Sequence, residues 1–126
     1  MAIPQAQVPA ASDSALVAKA FLRAADNLRL SNKSLAGIIG VSEATISRMK
    51  KGDYTLETGQ KPFQLAVLFV RLYRSLDALT GGDDDVSSKW LSGPNGALDG
   101  SPIEVIQSVS GLMNVIGYLD ARRAVI

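Results

Sequence analysis

Three cations fall within four positions, Arg48, Lys50 and Lys51, while the chain contains no His and no Cys. That combination narrows the available chemistry. Without Cys there is no disulfide framework and no thiolate nucleophile. With His also missing, zinc sites of the usual kind and imidazole general-base catalysis are excluded. What Arg48, Lys50 and Lys51 can do is recognise: a guanidinium forks onto guanine O6 and N7, and ammonium groups anchor phosphates. The other charged cluster is Asp83, Asp84 and Asp85, with Lys89 nearby. Three adjacent carboxylates could recruit magnesium and found a small enzyme. An acidic run in a loop is more often solvated, and no second cluster supports the metal reading. The expectation is therefore no enzyme, no metal and no cofactor.

The elements that must position the cations lie in Asn32 to Gly52, NKSLAGIIGVSEATISRMKKG. Leu35, Ala36 and Ile39 make the inner face of a short helix, capped by Ser31 or Asn32. Ala36 is small enough for a close helix crossing. Gly40 permits a tight bend, Val41 points inward, and Ser42 can cap the next helix. That helix runs from about Glu43 to Lys50, with Ile46 and Met49 as its inward pair. The opposite side carries Glu43, Ser47, Lys50 and Lys51, with Thr45 and Arg48 on the flanks. This is the build of a helix-turn-helix, whose second helix lies in the major groove. Thr45 and Ser47 suit a base edge or phosphate, and Ala44 suits a thymine methyl. Glu43 either accepts from cytosine N4 or favours the helix's positive end. The bland alternative is a solvated basic face on a small bundle.

Around that pair the reading is all-α. Residues 1–12 hold two Pro and little pattern, and read as a flexible arm. A helix capped by Asp13 or Ser14 follows, its apolar face built from Leu16, Val17, Ala20, Phe21, Ala24 and Leu28. Residues 13–60 form the helix-turn-helix domain. Residues 61–80 form a long connecting and dimerisation helix opened by Pro62. It is apolar on more than one side, so it is gripped either by both halves of the chain or by a second copy. Phe69, Leu72, Tyr73 and Leu76 are candidates for that second-copy contact or for an equally expected buried role within the chain. Gly81, Gly82 and the Asp run mark the clearest boundary. Residues 86–126 form a small helical lobe: a short stretch at Val86 to Leu91, a turn at Gly93-Pro94-Asn95-Gly96, a short helix from Pro102, and a last helix over about Gly111 to Ala121. Arg122 to Ile126 follow as an exposed tail.

The chain has 126 residues, room for one or two small domains. Net charge is +1, but residues 1–80 carry ten Lys/Arg against six Asp/Glu and residues 81–126 three against six. The basic half suits an anionic polymer. No signal peptide is visible and no stretch reaches about 18 uncharged apolar residues, so a cytoplasmic protein with no membrane segment is expected.

Residues 14–52 resemble the Xre or Cro/C1-like helix-turn-helix repressors. The resemblance places base reading on Glu43, Ala44, Thr45 and Arg48, and flanking phosphate contacts on Asn32, Lys33 and Lys51. Asn32 stands where members often have the longer Gln. The second half, with Trp90-Leu91, Pro94-Asn95, Leu98, Gly100, Pro102-Ile103, Gly111 and Val115 to Leu119, resembles the C-terminal toxin-binding domain of Xre, MbcA and ParS antitoxins. The two together cover about residues 14–121. The resemblance implies a type II antitoxin that neutralises a co-encoded toxin by direct binding, usually a RES-type, NAD-consuming toxin or else a related ADP-ribosylating one. It also implies repression of its own operon at operator DNA; a homodimer is expected because one helix-turn-helix reaches only one half-site. Trp90, Asn95, Tyr118, Asp120, Arg122 and Arg123 become the toxin-binding candidates, with Arg122 or Arg123 entering an anion-recognising cleft or pairing with toxin carboxylates. The plainer readings make Trp90 a core aromatic and both arginines solvated cations at a helix C-terminus. The competing function is a dimeric helix-turn-helix transcription regulator without a toxin.

Overall fold

The computed structural model describes residues 3–125, with side-chain environments for 13–124. The described residues form seven helices and no strand: α1 (Ile3–Asn27), α2 (Asn32–Ile39), α3 (Glu43–Lys51), α4 (Lys61–Leu79), α5 (Asp84–Ser92), α6 (Pro102–Val105) and α7 (Val109–Val125). The fold is all-α, a helix-turn-helix bundle followed by a small helical lobe.

α1 starts ten residues before the expected cap, so the backbone over 3–12 is helical where a loose arm was expected. Pro4 sits in the first turn, where its missing N–H costs nothing; Pro9 forgoes one intrahelical bond. Because the helix runs through Ser14, that hydroxyl is free for a tertiary role. It is buried and donates to the Leu56 carbonyl. The buried stripe is centred on Phe21, Ala24, Ala25 and Leu28. Leu16 is 63% exposed, since five residues back from Phe21 at about 100° per residue lies well round the helix. α1 closes with Arg29 at φ 59° and Leu30 N–H donating to the Ala25 carbonyl at 3.0 Å.

α4 is the axis of the molecule. Leu65, Ala66, Phe69, Leu72 and Leu76 are buried along it, and it packs against α1 on one side and α7 on the other. Phe21 meets Phe69 edge-on, with ring centroids 5.5 Å apart. Phe69, Leu72 and Leu76 are therefore consumed within the chain and offer no surface to a second copy. Tyr73 is half-buried and tied on both sides: Asn27 donates to its hydroxyl, which donates to Asp84. Burial is the main cause that lifts the Tyr73 phenol above its ordinary value.

The two halves share one core. Buried residues from α1 to α4 continue without a break into Leu91, Ile106, Leu112, Val115, Ile116 and Leu119. Polar contacts stitch the same seam. Ser88 donates to the Leu28 carbonyl at 3.1 Å, Gln107 to the Ser34 carbonyl at 3.3 Å, and Arg29 pairs with Asp85 at 2.6 Å. α7 begins two residues earlier than expected and continues to Val125, so Arg122 and Arg123 are helical and not a loose tail. Gly111 is what lets α7 leave the α6 turn: a Cβ there would stand 1.8 Å from the Val105 carbonyl oxygen.

Candidate nucleic-acid interface and second-half surface

The turn between α2 and α3 is built as the sequence requires. Ser31 accepts from Ser34 N–H and opens α2. Gly40 closes it in the left-handed region at φ 75°, a conformation open to Gly at little cost. Ser42 then accepts from Thr45 N–H at 3.0 Å and opens α3, which Gly52 ends at φ 82°. Both helices are short, and their caps satisfy end groups that would otherwise be orphaned. Ile46 and Met49 are buried, as their spacing predicts, which turns the remaining face outward.

That outward face carries Glu43, Ala44, Arg48, Lys50 and Lys51, all exposed, with Ser42 at its start and Lys33 exposed on α2. Glu43 lies in the first turn, beside the positive end of α3, and the three cations lie in its last turn. Two expected readers sit differently. Thr45 is buried, and its hydroxyl is occupied by Ser42 at 2.9 Å and by an Arg48 guanidinium N–H at 3.0 Å. In this arrangement Thr45 aims Arg48; it does not offer a free hydroxyl. The reason is register: Thr45 is one residue from Ile46 and four from Met49, on the edge of the buried face. Asn32 bridges the motif, donating to Ser47 Oγ at 3.2 Å and accepting from Lys50 Nζ at 2.5 Å. Asn32, Ser47 and Lys50 thus hold α2 against α3, and a phosphate must compete with these bonds to engage them.

The second-half candidates divide into two groups on either side of α7. Trp90 stacks on Tyr118 with centroids 6.2 Å apart and planes 20° from parallel. The Arg122 guanidinium lies 5.4 Å from the Tyr118 ring centre and donates to its hydroxyl at 3.3 Å. These three border a groove of about 490 Å³ floored by Leu76, Leu79 and Leu119. The other group centres on Ser75, which is 1% exposed. Ser75 Oγ donates to Asp120 at 3.0 Å and accepts from Arg123 at 3.1 Å, while Arg71 pairs with the other Asp120 oxygen. The Ser75 bond is the first cause that holds the Asp120 carboxyl below its ordinary value, and Arg71 and Arg123 reinforce it.

Asn95 stands apart from both groups. Its side chain accepts from Ala97 N–H at 3.0 Å, and its carbonyl from Leu98 and Gly100. This is the self-bonded turn its type allows. Gln107 and Ser75, which join the halves, carry no sequence signal as site residues: each is an uncharged polar residue beside other polar residues, of a type common on any helix surface. Val109 and Met113 are 50% and 45% exposed on α7. Their four-residue spacing was available as a signal, but it reads equally well as a core stripe.

No group of three or more His, Cys, Asp or Glu side chains among the described residues is placed to hold a metal ion. No helix among them is long and apolar enough to cross a membrane.

Comparison with known proteins adds two consecutive matches. Residues 7–71 match the antitoxin Xre-like helix-turn-helix domain, and residues 75–124 match the antitoxin Xre/MbcA/ParS C-terminal toxin-binding domain. No match to a curated protein was found. The first match spans more than half of the chain, and its boundary with the second falls inside α4, the helix around which both halves pack. The chain belongs to the Xre/MbcA/ParS antitoxins, with an Xre-like helix-turn-helix domain and a C-terminal toxin-binding domain.

Proposed function

We propose that this antitoxin neutralises a co-encoded RES-type, NAD-consuming toxin by direct binding, and represses its own operon as a homodimer through α3. The observation that carries the reading is the exposed polar face of α3, with Arg48, Lys50 and Lys51 turned away from a core that the toxin-binding half completes. Arg48 reads a base, preferably guanine, steadied by Thr45; Lys33 and Lys51 take phosphates. Two copies reach two half-sites, which gives length and selectivity that one α3 lacks.

Toward the toxin, Arg122 is the arginine better placed to leave the molecule. Arg123 is committed to buried Ser75, whereas Arg122 lies on the Tyr118 ring at the mouth of the Trp90 groove. Arg122 then meets an anion site or carboxylate of the toxin, with Trp90 and Tyr118 as the adjoining apolar contact.

The test uses the chain and its neighbouring toxin gene. Co-expression should yield a stable complex with a second protein of enzyme size, and the purified chain should stop NAD consumption by that protein. Self-association alone, with no enzyme-sized partner and no effect on NAD, sinks the toxin reading and leaves a plain transcription regulator. Titration of operator and scrambled duplexes tests the DNA part: equal affinities refute direct readout.

A further inference from the structure

Outside both surfaces, α1, α4 and α7 enclose a long open groove. One section, of about 910 Å³, runs past Leu16, Val67 and Val70, and a neighbouring section of about 360 Å³ continues along α1 and α4. The floor is apolar and uncovered: Leu16 is 63% and Val67 41% exposed. The rim is cationic, with Lys19, Arg23, Arg71, Arg74 and Arg123 against Asp120 alone. Arg71 and Arg123 are held in place by the Ser75–Asp120 cluster. Among the described residues, Lys19, Arg23 and Arg74 take no side-chain hydrogen bond or ion pair. Residues 1–12 and 125–126 contain no Asp or Glu that could balance them.

We propose that this groove docks an acidic amphipathic helix of a partner protein, at a site separate from the α3 face and from the Trp90–Tyr118 groove. An apolar stripe bounded by cations fits a helix whose Leu-type stripe is bounded by carboxylates. Two alternatives fit less well. A two-fold pairing of the groove with itself would set the same cations against one another. A nucleic-acid backbone would satisfy the rim but leave Leu16 and Val67 unburied. The inference does not depend on the identity of the toxin, because any protein presenting such a helix meets the requirement.

The probe is a synthetic helix-forming peptide, about 18 residues long so that it can hold helix. It carries Leu at three- and four-residue spacing flanked by Glu, and its twin has Lys for Glu. Anisotropy titrations use the full chain. The acidic peptide should bind at least about tenfold more tightly than the basic twin, and added salt should weaken it. Arg74→Glu and Val67→Asp, both at exposed positions, should each reduce affinity about tenfold or more, with unchanged circular dichroism. Equal binding of the twins, or indifference to both variants, overturns the proposal. So does a dimer in sedimentation that Val67→Asp converts to monomer while the peptide does not bind, which assigns the groove to a second copy. Displacement of the peptide by a random duplex whose own binding needs Arg74 but ignores Val67→Asp overturns it in favour of a polyanion site.

Discussion

The exposed face of α3 and the Ser75 side of α7 both carry arginines, yet they are built on opposite plans. α3 is nine residues long, capped at both ends, and buries only Thr45, Ile46 and Met49. Its cations project from a face that contributes little to the core. On α7, Arg123 and Asp120 are tied to a buried hydroxyl on α4, so the charged side chains themselves help join two helices. Of the α3 cations, Arg48 and Lys51 can be removed at a cost chiefly to binding, whereas Lys50 also bridges to Asn32 on α2. A residue of the α7 cluster cannot be removed without loosening the packing that any binding surface there relies on. Loss of toxin binding in an Arg123 variant therefore says little until stability has been measured, whereas loss of DNA binding in an Arg48 variant is directly informative.

The largest effect should come from breaking the shared core. Leu119→Ala, in a side chain 1% exposed, should destabilise the chain by about 2–5 kcal/mol. Because the core is continuous, amide protection in α2 and α3 should fall with that in α7. Hydrogen exchange that stays protected in α3 while α7 opens would show two independent units and undo the comparison.

Next in size is Arg48→Ala. Its operator affinity should fall by about 1–3 kcal/mol, with sequence preference relaxed. Urea unfolding should shift by no more than about 0.5 kcal/mol, since the site is exposed. A large stability loss would place Arg48 in the structural class with Arg123. Lys51→Ala should instead weaken all duplexes alike and lower the salt dependence of binding.

Arg123→Ala should cost about 1 kcal/mol of stability, the scale of one ordinary hydrogen bond, because Arg123 is exposed and Ser75 stays partnered by Asp120. Arg122→Ala should leave stability closer to wild type, because its partners, Tyr118 and its own helix, lie near the surface. Equal losses from the two would remove the distinction drawn between them.

The smallest effect is a pH dependence. The Asp120 carboxyl is held below the ordinary Asp value of 3.8, chiefly by Ser75 and then by Arg71. A lowered folded-state value means that its stabilisation is fully present above that ordinary value. It fades as pH falls through the lowered one. Acid titration of Asp120→Asn, followed by thermal midpoint, should show less loss of stability on entering that window than wild type. An identical acid profile would show that the Ser75 and Arg71 contacts do not survive in solution.

Local signals placed the helix-turn-helix closely. Ser31, Gly40, Ser42 and Gly52 act through their own backbone and the next few residues, so a linear reading captures them. The long-range contacts were not legible in the same way. Ser14 has the type and position of a helix cap, and only the approach of Leu56 makes it a core residue. Thr45 has the type of a base reader, and only its place on the edge of the buried face, with Ser42 and Arg48 around its hydroxyl, occupies it. Leu16 belongs to an apolar pattern, but a pattern broad enough to cover half a helix does not say which edge the neighbours reach.

The sequence by itself determined the all-α class, the caps and bend that set α3 against α2, the exclusion of His and Cys chemistry, and the cations on α3. These follow from backbone preference and side-chain type within a few residues. The tertiary structure alone decided which polar groups are spent. Ser75 on α4 lies 45 and 48 residues before Asp120 and Arg123 on α7, and the three form one cluster. Arg122, one position along, is left on the Tyr118 ring instead. One residue along a helix is about 100° around it. Which of two adjacent arginines meets α4 and which meets Tyr118 is fixed by how α7 packs, a fact that no spacing within α7 contains.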